Sequence, residues 1–479
     1  MKKKGNLYFL IKSLSPSEKR YFKIVAASGS GNKNPIRLFD FIDKAENPTN
    51  ESVKAFFAGE KFLNQLHVTK IYLHKLVMRS LRNFHHQSNK ETELIQLLQD
   101  IEILFKKDLF DHCQLEIERG LKLARTYEKD HHLLALLAWK RQFLLSKQGP
   151  VKAKKELQKV FEEVRKCIAR QENLYQYWQL IIEAFPPSKE SRSAVDDELL
   201  HAEEQAQSLQ AKTLFYYAKQ SSSFINRNFA EAFRTANLLV ELLEKHPKRI
   251  QEDPRSYITA LNNLIGIGIQ LKQTDDLPQH IEKIRLLSEK DKNSFSIKAM
   301  LHTYNIELEL YRDLGEYDKG LALFEPATAF IKKNDRHVAV DYKLLIYYQF
   351  AYLHFKKGLH SEALKCLNEL IYNTFENMRQ DIQTYGRMLN LIIHFELGNI
   401  MVLKYAVAST RRYLQKKRKM EAFEKRLLSF FSKISTSPKS DYPQLFRKLQ
   451  TELFEGYSIE QKNDILDYLD FEGWIKERV

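Results

Sequence analysis

Three cysteines in 479 residues, Cys113, Cys167 and Cys366, are too few and too scattered for a disulfide framework. They also lack the CxxC or Cys/His spacing of a zinc site. Fifteen glycines and twelve prolines leave few breaks, which favours long helices. Alternating apolar stretches joined by Asn-Gly or Asp-Gly, the mark of β-hairpins, are missing. No apolar run approaches the ~18 residues that a membrane helix needs. The opening Met1-Lys2-Lys3-Lys4 resembles the charged start of a signal peptide, but the apolar run Leu7–Ile11 ends at Lys12 and no small-residue cleavage site follows. These absences predict a cytoplasmic chain without exported or membrane-spanning parts.

What is present is an ordinary core-forming composition, 43% hydrophobic and 29% charged, with a net charge of +15 that is unevenly spread. Residues 1–90 hold 17 Lys and Arg against 6 Asp and Glu, whereas the remaining chain holds 59 against 55. A second basic run comprises Lys404, Arg411, Arg412, Lys416, Lys417, Arg418, Lys419, Lys425 and Arg426, relieved by Glu421 and Glu424.

Residues 1–90 read as short helices. Ser15-Pro16-Ser17-Glu18 is a helix start, with a hydroxyl cap, an early proline and an acid in the first turn. Ser28–Pro35 reads as a linker, and Gly59 separates two short helices before a longer one that ends near His86. From residue 91 the pattern becomes paired helices, with hairpins expected near 92–128, 131–170, 172–208, 211–246, 255–290, 295–334, 338–376 and 380–418. Their turns fall at Lys107-Asp108, Gly149-Pro150, Pro186-Pro187-Ser188, Arg227-Asn228, Thr274-Asp275-Asp276, Gly315, Gly358 and Gly398. Pro326 lies inside a second helix, where it is expected to kink it.

The clearest copies share a pattern. Gly315-Glu316-Tyr317 is followed by Gly320, Phe324 and Ala327. Gly358-Leu359-His360 is followed by Ala363, Leu367 and Leu370, and Gly398-Asn399-Ile400 by Leu403, Val407 and Thr410. Phe229, Ala232, Ala236 and Leu239 fit upstream, and Phe110, Cys113 and Ile117 fit more loosely. This resembles the tetratricopeptide repeat family, with a period nearer 40 than that family's ~34 residues. The resemblance implies an all-α solenoid of stacked hairpins over residues 91–418 and a concave face that takes a protein or peptide. Residues 419–479 do not repeat. They read as a helical cap over the last apolar face, with Trp474 turned inward.

Residues 60–82 resemble a helix-turn-helix, with His67 at the turn and a second helix from Thr69. Leu73, Leu76, Val77, Leu81 and Phe84 form its apolar stripe, while Lys75, Arg79, Arg82 and His86 form a basic one, with Lys70 and His74 near its start. Lys70, His74, Lys75, Arg79 and Arg82 are therefore candidates for contact with DNA or RNA; a solvated basic face is the competing reading. Arg411, Arg412, Lys416 and Lys417 are candidates for an acidic partner. Gly-Ser-Gly-Asn-Lys within Ser28–Pro35 has neither the spacing nor the strand of a phosphate loop, and Gly266-Ile267-Gly268 fits close helix packing. The pairs His85-His86 and His131-His132 point about 100° apart on a helix, which argues against a shared metal ion. Asp196-Asp197 and Asp275-Asp276 sit at helix starts, where the macrodipole favours acids. No nucleophile motif or carboxylate pair suggests catalysis, and no cofactor is implied. The expectation is a non-enzymatic binding scaffold; the alternative is a nucleic-acid-binding regulator that uses residues 1–90.

Overall fold

A computed structural model describes residues 6–29, 34–46, 48–86, 89–184, 198–290, 294–335, 337–371 and 378–479, and every regular element among them is helical. The Pro186-Pro187-Ser188 turn, Asp196-Asp197 and the middle of the Ser28–Pro35 linker lie outside the described residues. None of the described helices is long and apolar enough to cross a membrane. The chain divides into two units, residues 1–182 with 197–215, and residues 183–196 with 216–479.

The first unit opens with helices Asn6–Ser13, Pro16–Gly29, Asn34–Lys44, Asn50–Phe56 and Leu66–Phe84. Ser15 and Glu18 cap the second reciprocally: the Ser15 N–H donates to the Glu18 carboxylate at 2.6 Å, and the Glu18 N–H donates to the Ser15 hydroxyl at 3.3 Å. The helices bury Ile11, Phe22, Leu38, Phe39, Ile42, Leu73 and Val77, with Phe22 stacked on Phe39 at 4.3 Å. The turn expected at His67 does not form. The last helix starts at Leu66, directly after a 3-10 turn over Lys61–Gln65, and Gly59 at φ 87° makes the bend instead.

Further along this unit, Lys90–Lys106 pairs with Phe110–Thr126. The helix Asp130–Ala184 is interrupted at Gly149 (φ 73°, ψ 167°), where the turn was expected. Beyond Pro150 it runs unbroken through 170–172, so the hairpin expected from 172 does not begin there. Arg170-Gln171-Glu172 contains no breaker. Arg170 also grips Asp130 with two hydrogen bonds, at 3.0 and 2.6 Å, which ties this stretch to the start of the same segment.

In the second unit, hairpins are formed by Pro254–Leu271 with Leu277–Lys290, Val340–Lys356 with His360–Ile371, and Gln380–Glu396 with Ile400–Lys417. Ser294–Asp313 pairs with a second arm split into Tyr317–Ala322 and Phe324–Lys333; Pro326 sits just past the break, as its missing N–H requires. The first helices of these hairpins also pack side by side, 254–271 on 294–313, that on 340–356, and that on 380–396.

One backbone device recurs in both units. Asp108, Glu128, Arg227, Lys272, Gly315, Gly358 and Gly398 all have φ between 49° and 73°. At each, the N–H of the next residue donates to the carbonyl five residues before it, as Glu316 does to Tyr311 at 2.9 Å and Asn399 to His394 at 3.0 Å. The left-handed residue itself donates to the carbonyl three residues before it, as Gly358 does to Phe355 at 2.9 Å. This is the Schellman ending of a helix. In six of the seven, the next helix begins two residues later, at Phe110, Asp130, Phe229, Tyr317, His360 and Ile400. The residue in its fourth position is then buried: Cys113, Leu133, Ala232, Gly320, Ala363 or Leu403.

Residues 419–479 extend the helical packing. Ala422–Ile434 packs on Ile400–Lys417, and Tyr442–Glu452 packs on Ala422–Ile434. The chain then folds back. Trp474, 2% exposed, donates from Nε1 to Glu396 at 2.7 Å and lies among Phe395, Phe430, Phe431 and Phe446.

Two glycines of helix Pro254–Leu271 give opposite expectations. A Cβ on Gly268 would lie 3.0 Å from the Gln273 carbonyl and 2.9 Å from Leu277 Cδ2, whereas a Cβ on Gly266 would meet nothing within 4 Å. Gly268→Ala is expected to destabilise the second unit by about 1–3 kcal/mol, the usual cost of overpacking. Gly266→Ala should be neutral or stabilise it by up to ~1 kcal/mol, because alanine loses less backbone freedom in a helix. Denaturant titration of the two variants checks both signs.

Candidate functional site

Four neighbouring first helices present side chains to one cleft of about 960 Å³ in the second unit. Helix Ser294–Asp313 supplies Asn305, Glu309, Arg312 and Asp313, spaced three or four apart and so carried on one face. Helix Val340–Lys356 supplies Tyr348, Gln349 and Tyr352, the end of Pro254–Leu271 supplies Gln270, and Arg379 and Ile382 stand at the start of Gln380–Glu396. The returning C-terminal chain closes the far side with Asp464, Asp467 and Tyr468.

That return is held by specific bonds. The Tyr348 hydroxyl, fully buried, donates to the Tyr468 carbonyl at 2.7 Å. The Tyr468 hydroxyl donates to Asp381 at 3.0 Å, and its ring stacks on Tyr385 at 4.3 Å. Lys356 pairs with Asp470 at 3.1 Å.

Charges within the cleft are only partly matched. Arg312 pairs with Asp313 at 2.9 Å and donates to Gln349 at 3.4 Å, while Arg379 pairs with Asp381 at 2.6 Å. The carboxylates of Glu309, Asp464 and Asp467 have no hydrogen bond or ion pair among the described residues. Burial raises the Glu309 carboxyl above its ordinary range, Arg312 opposes the rise, and Asp313 and Asp467 reinforce it. Burial likewise raises Asp467, with Asp464 and Asp313 adding to it against Arg312. Asn305 is 7% exposed, and its Oδ1 has no hydrogen-bond partner. No motif marked this cleft in the sequence, because its walls come from helices more than a hundred residues apart. The signal that was present is Asn305, Glu309 and Arg312 at helical spacing.

The basic candidates are placed elsewhere. His74, Lys75, Arg79 and Arg82 lie exposed on helix Leu66–Phe84, beside exposed Val68, Ile71 and Tyr72. Lys70 is drawn into the fold. It donates to the Tyr8 hydroxyl at 2.6 Å and to Asn50 Oδ1, and it lies 4.5 Å above the Tyr8 ring. On Ile400–Lys417, Arg411, Arg412 and Lys416 are exposed and Lys417 is half-buried. Their neighbours Arg418 and Arg426 serve the fold. Arg418 pairs with fully buried Glu424 at 2.6 Å, and Arg426 donates to the Glu455 carbonyl at 2.7 Å.

The argument against a shared histidine site fails at His131-His132. At the first turn of their helix both rings bend to one oxygen of Glu91, with Nε2 atoms at 2.6 and 2.8 Å. These three side chains are close enough to hold a metal ion. Lys129 already occupies the other Glu91 oxygen at 2.7 Å, and Glu91 and both histidines sit in first turns of helices, where the macrodipole is positive. The carboxylate is therefore explained as a counter-ion. Burial alone would raise the Glu91 carboxyl, but Lys129, His131 and His132 bring it down to about 2.

What the fold and the cleft define is an all-helical hairpin protein with a polar internal cleft. No family model matches the chain, and no curated protein or solved structure is similar to it.

Two pH dependences follow. A carboxyl lowered by folding stabilises the fold above its ordinary value of 4.5, and that contribution is lost as the pH falls towards 2. Glu91→Gln should therefore melt lower than the parent at pH 7, with the gap closing between pH 4.5 and 2. A raised carboxyl has the opposite sign: its contribution is present below 4.5 and lost as the pH rises through its folded value. Glu309→Gln should therefore melt higher than the parent at pH 7 and converge with it below pH 4.5. Thermal melts across pH 2–8 check both.

Proposed function

We propose that this chain is a non-enzymatic binding scaffold whose hairpins are turns of a TPR-like solenoid, and that a protein or peptide segment occupies the cleft of the second unit. The observation that carries this reading is the cleft itself. It gathers polar side chains from four packed first helices and the C-terminal return, and leaves Asn305 and Glu309 of one helix and Asp464 and Asp467 of the return unmatched. Its walls combine carboxyl, amide, phenol, guanidinium and ammonium groups with apolar side chains, and bring no hydroxyl or thiol nucleophile beside a histidine, which suits recognition more than catalysis. Gln270, exposed at the rim, offers a way to block it.

Affinity capture from the native organism with the full chain tests this. Gln270→Trp should obstruct one side of the cleft while sparing the core, so a partner recovered by the parent should fall at least tenfold with a folded variant. Undiminished recovery would place the binding elsewhere.

The second reading keeps one observation in its favour. His74, Lys75, Arg79 and Arg82 form an exposed face with no acidic partner among the described residues. Such a face suits phosphate contact, with Tyr72 beside it for stacking. If it binds a duplex, Lys75→Glu, Arg79→Glu and Arg82→Glu together should abolish a low-salt gel shift by the full chain. No shift by the parent at low salt eliminates the reading, because phosphate contacts are strongest there.

A further inference from the structure

The cleft's sign of charge differs from that of the chain. The sequence carries +15 overall. Once Arg312 is matched to Asp313 and Arg379 to Asp381, the lining keeps three carboxylates, Glu309, Asp464 and Asp467, against one ammonium, Lys272. An acidic cluster on an open surface would be satisfied by water. This one has two features that water alone explains poorly. Glu309 is half-buried without a donor, and Asn305, nine-tenths buried in the same wall, has an amide oxygen that receives no hydrogen bond. Glu309 and Asn305 are one helical turn apart on Ser294–Asp313, so both stand on the face of that helix that lines the cleft. Asp467 lines the same cleft, and its charge adds to the rise at Glu309.

A group that meets all three needs has several N–H donors, a positive charge and a slender stem. An ammonium or guanidinium on an alkyl chain has these properties. We infer that the cleft selects a basic segment, with a Lys or Arg side chain of the bound peptide entering beside Asn305, between Glu309 and Asp467. The inference rests on the cleft being the binding site, and it adds the class of ligand. An acidic segment would instead meet unmatched carboxylates at close range, so discrimination comes from repulsion as well as attraction. A free polyamine carries the same chemistry without a peptide backbone to bond to the aligned helices.

Calorimetry on the full chain at 0.15 M salt tests this with acetylated tetralysine amide, acetylated tetraglutamate amide and spermine. Tetralysine should bind, tetraglutamate should not compete for it, and Glu309→Gln or Asp467→Asn should each weaken tetralysine at least tenfold. Asn305→Ala should weaken it less. Binding of spermine as tight as that of tetralysine would overturn the peptide source. Absence of tetralysine binding, tetralysine binding indifferent to Glu309→Gln and Asp467→Asn, or competition by tetraglutamate would overturn the inference outright. Glu309→Gln retains the shape of the site and is expected to fold at least as well as the parent, so lost binding would not reflect unfolding. Capture of a partner that is abolished by Gln270→Trp yet unchanged by Glu309→Gln would leave the cleft as the binding site and remove only the basic ligand.

Discussion

The left-handed residue just past the end of a helix is the constraint on which the hairpins depend. A helix ends with carbonyls that lack partners, and the Schellman pair satisfies two of them by turning the chain sharply. Because the next helix then starts after a fixed two residues in six of seven cases, the turn also sets which face of the second arm meets the first. Its fourth residue lands in the contact, and there Cys113, Ala232, Gly320 and Ala363 are small. A Cβ on Gly320 would come within 2.6 Å of Leu353 Cδ1, so glycine at that position reflects how closely the neighbouring helix lies. Four of the seven left-handed positions are not glycine; Asp108, Glu128, Arg227 and Lys272 each accept a conformation costing roughly 1–2 kcal/mol for an L-residue. They keep it because the two capping bonds and the packing of both arms require it.

The same regularity leaves a task that the hairpins cannot do. The first helices of the second unit pack side by side, and the mixed apolar and polar surface they share needs cover or solvent. The C-terminal segment divides the problem. Phe471, Trp474 and Ile475 cover the apolar part around Phe395, while Asp464, Asp467 and Tyr468 stand off the polar part and leave a cleft. Tyr348 and Tyr468 are the hinge between those roles, since the buried hydroxyl of one holds the backbone of the other.

Local features were legible in the sequence to the extent that they depend on local chemistry. Gly315, Gly358 and Gly398 announce left-handed turns because glycine alone enters that region without cost, and Gly149-Pro150 announces a break for the same reason. Pro326 splits its helix as a missing N–H must. The break expected near residue 171 rested on repeat length alone, with no breaker residue, and the helix continues. The turn at His67 failed similarly, since Gly59 supplies the bend at lower cost. His131 and His132 misled because the 100° rule describes Cα–Cβ directions, while two long rings in a first turn have enough reach to meet at a third residue. The cleft was not legible, because it depends on which residues 150 apart become neighbours. Its composition gave no excess of one residue type. Lys70, chosen for its charge, could not be separated in the sequence from Lys75, yet one is held by Tyr8 and the other is exposed.

Glu309 stands at a cost to folding. The carboxylate lies against burial and two like charges, and a neutral isostere would keep its shape without the electrostatic penalty. The opposing help from Arg312 is shared with Asp313, which holds the guanidinium at 2.9 Å. A fold under selection for stability alone has an easy improvement available at this position. Sites that hold an energetic cost of this kind are commonly those where a ligand removes it. A cation brought into the cleft would do so directly, since the charge that destabilises the empty wall is the charge that attracts the guest. The cost to stability and the preference for a basic ligand would then be two consequences of one carboxylate placed where the surrounding helices give it no partner.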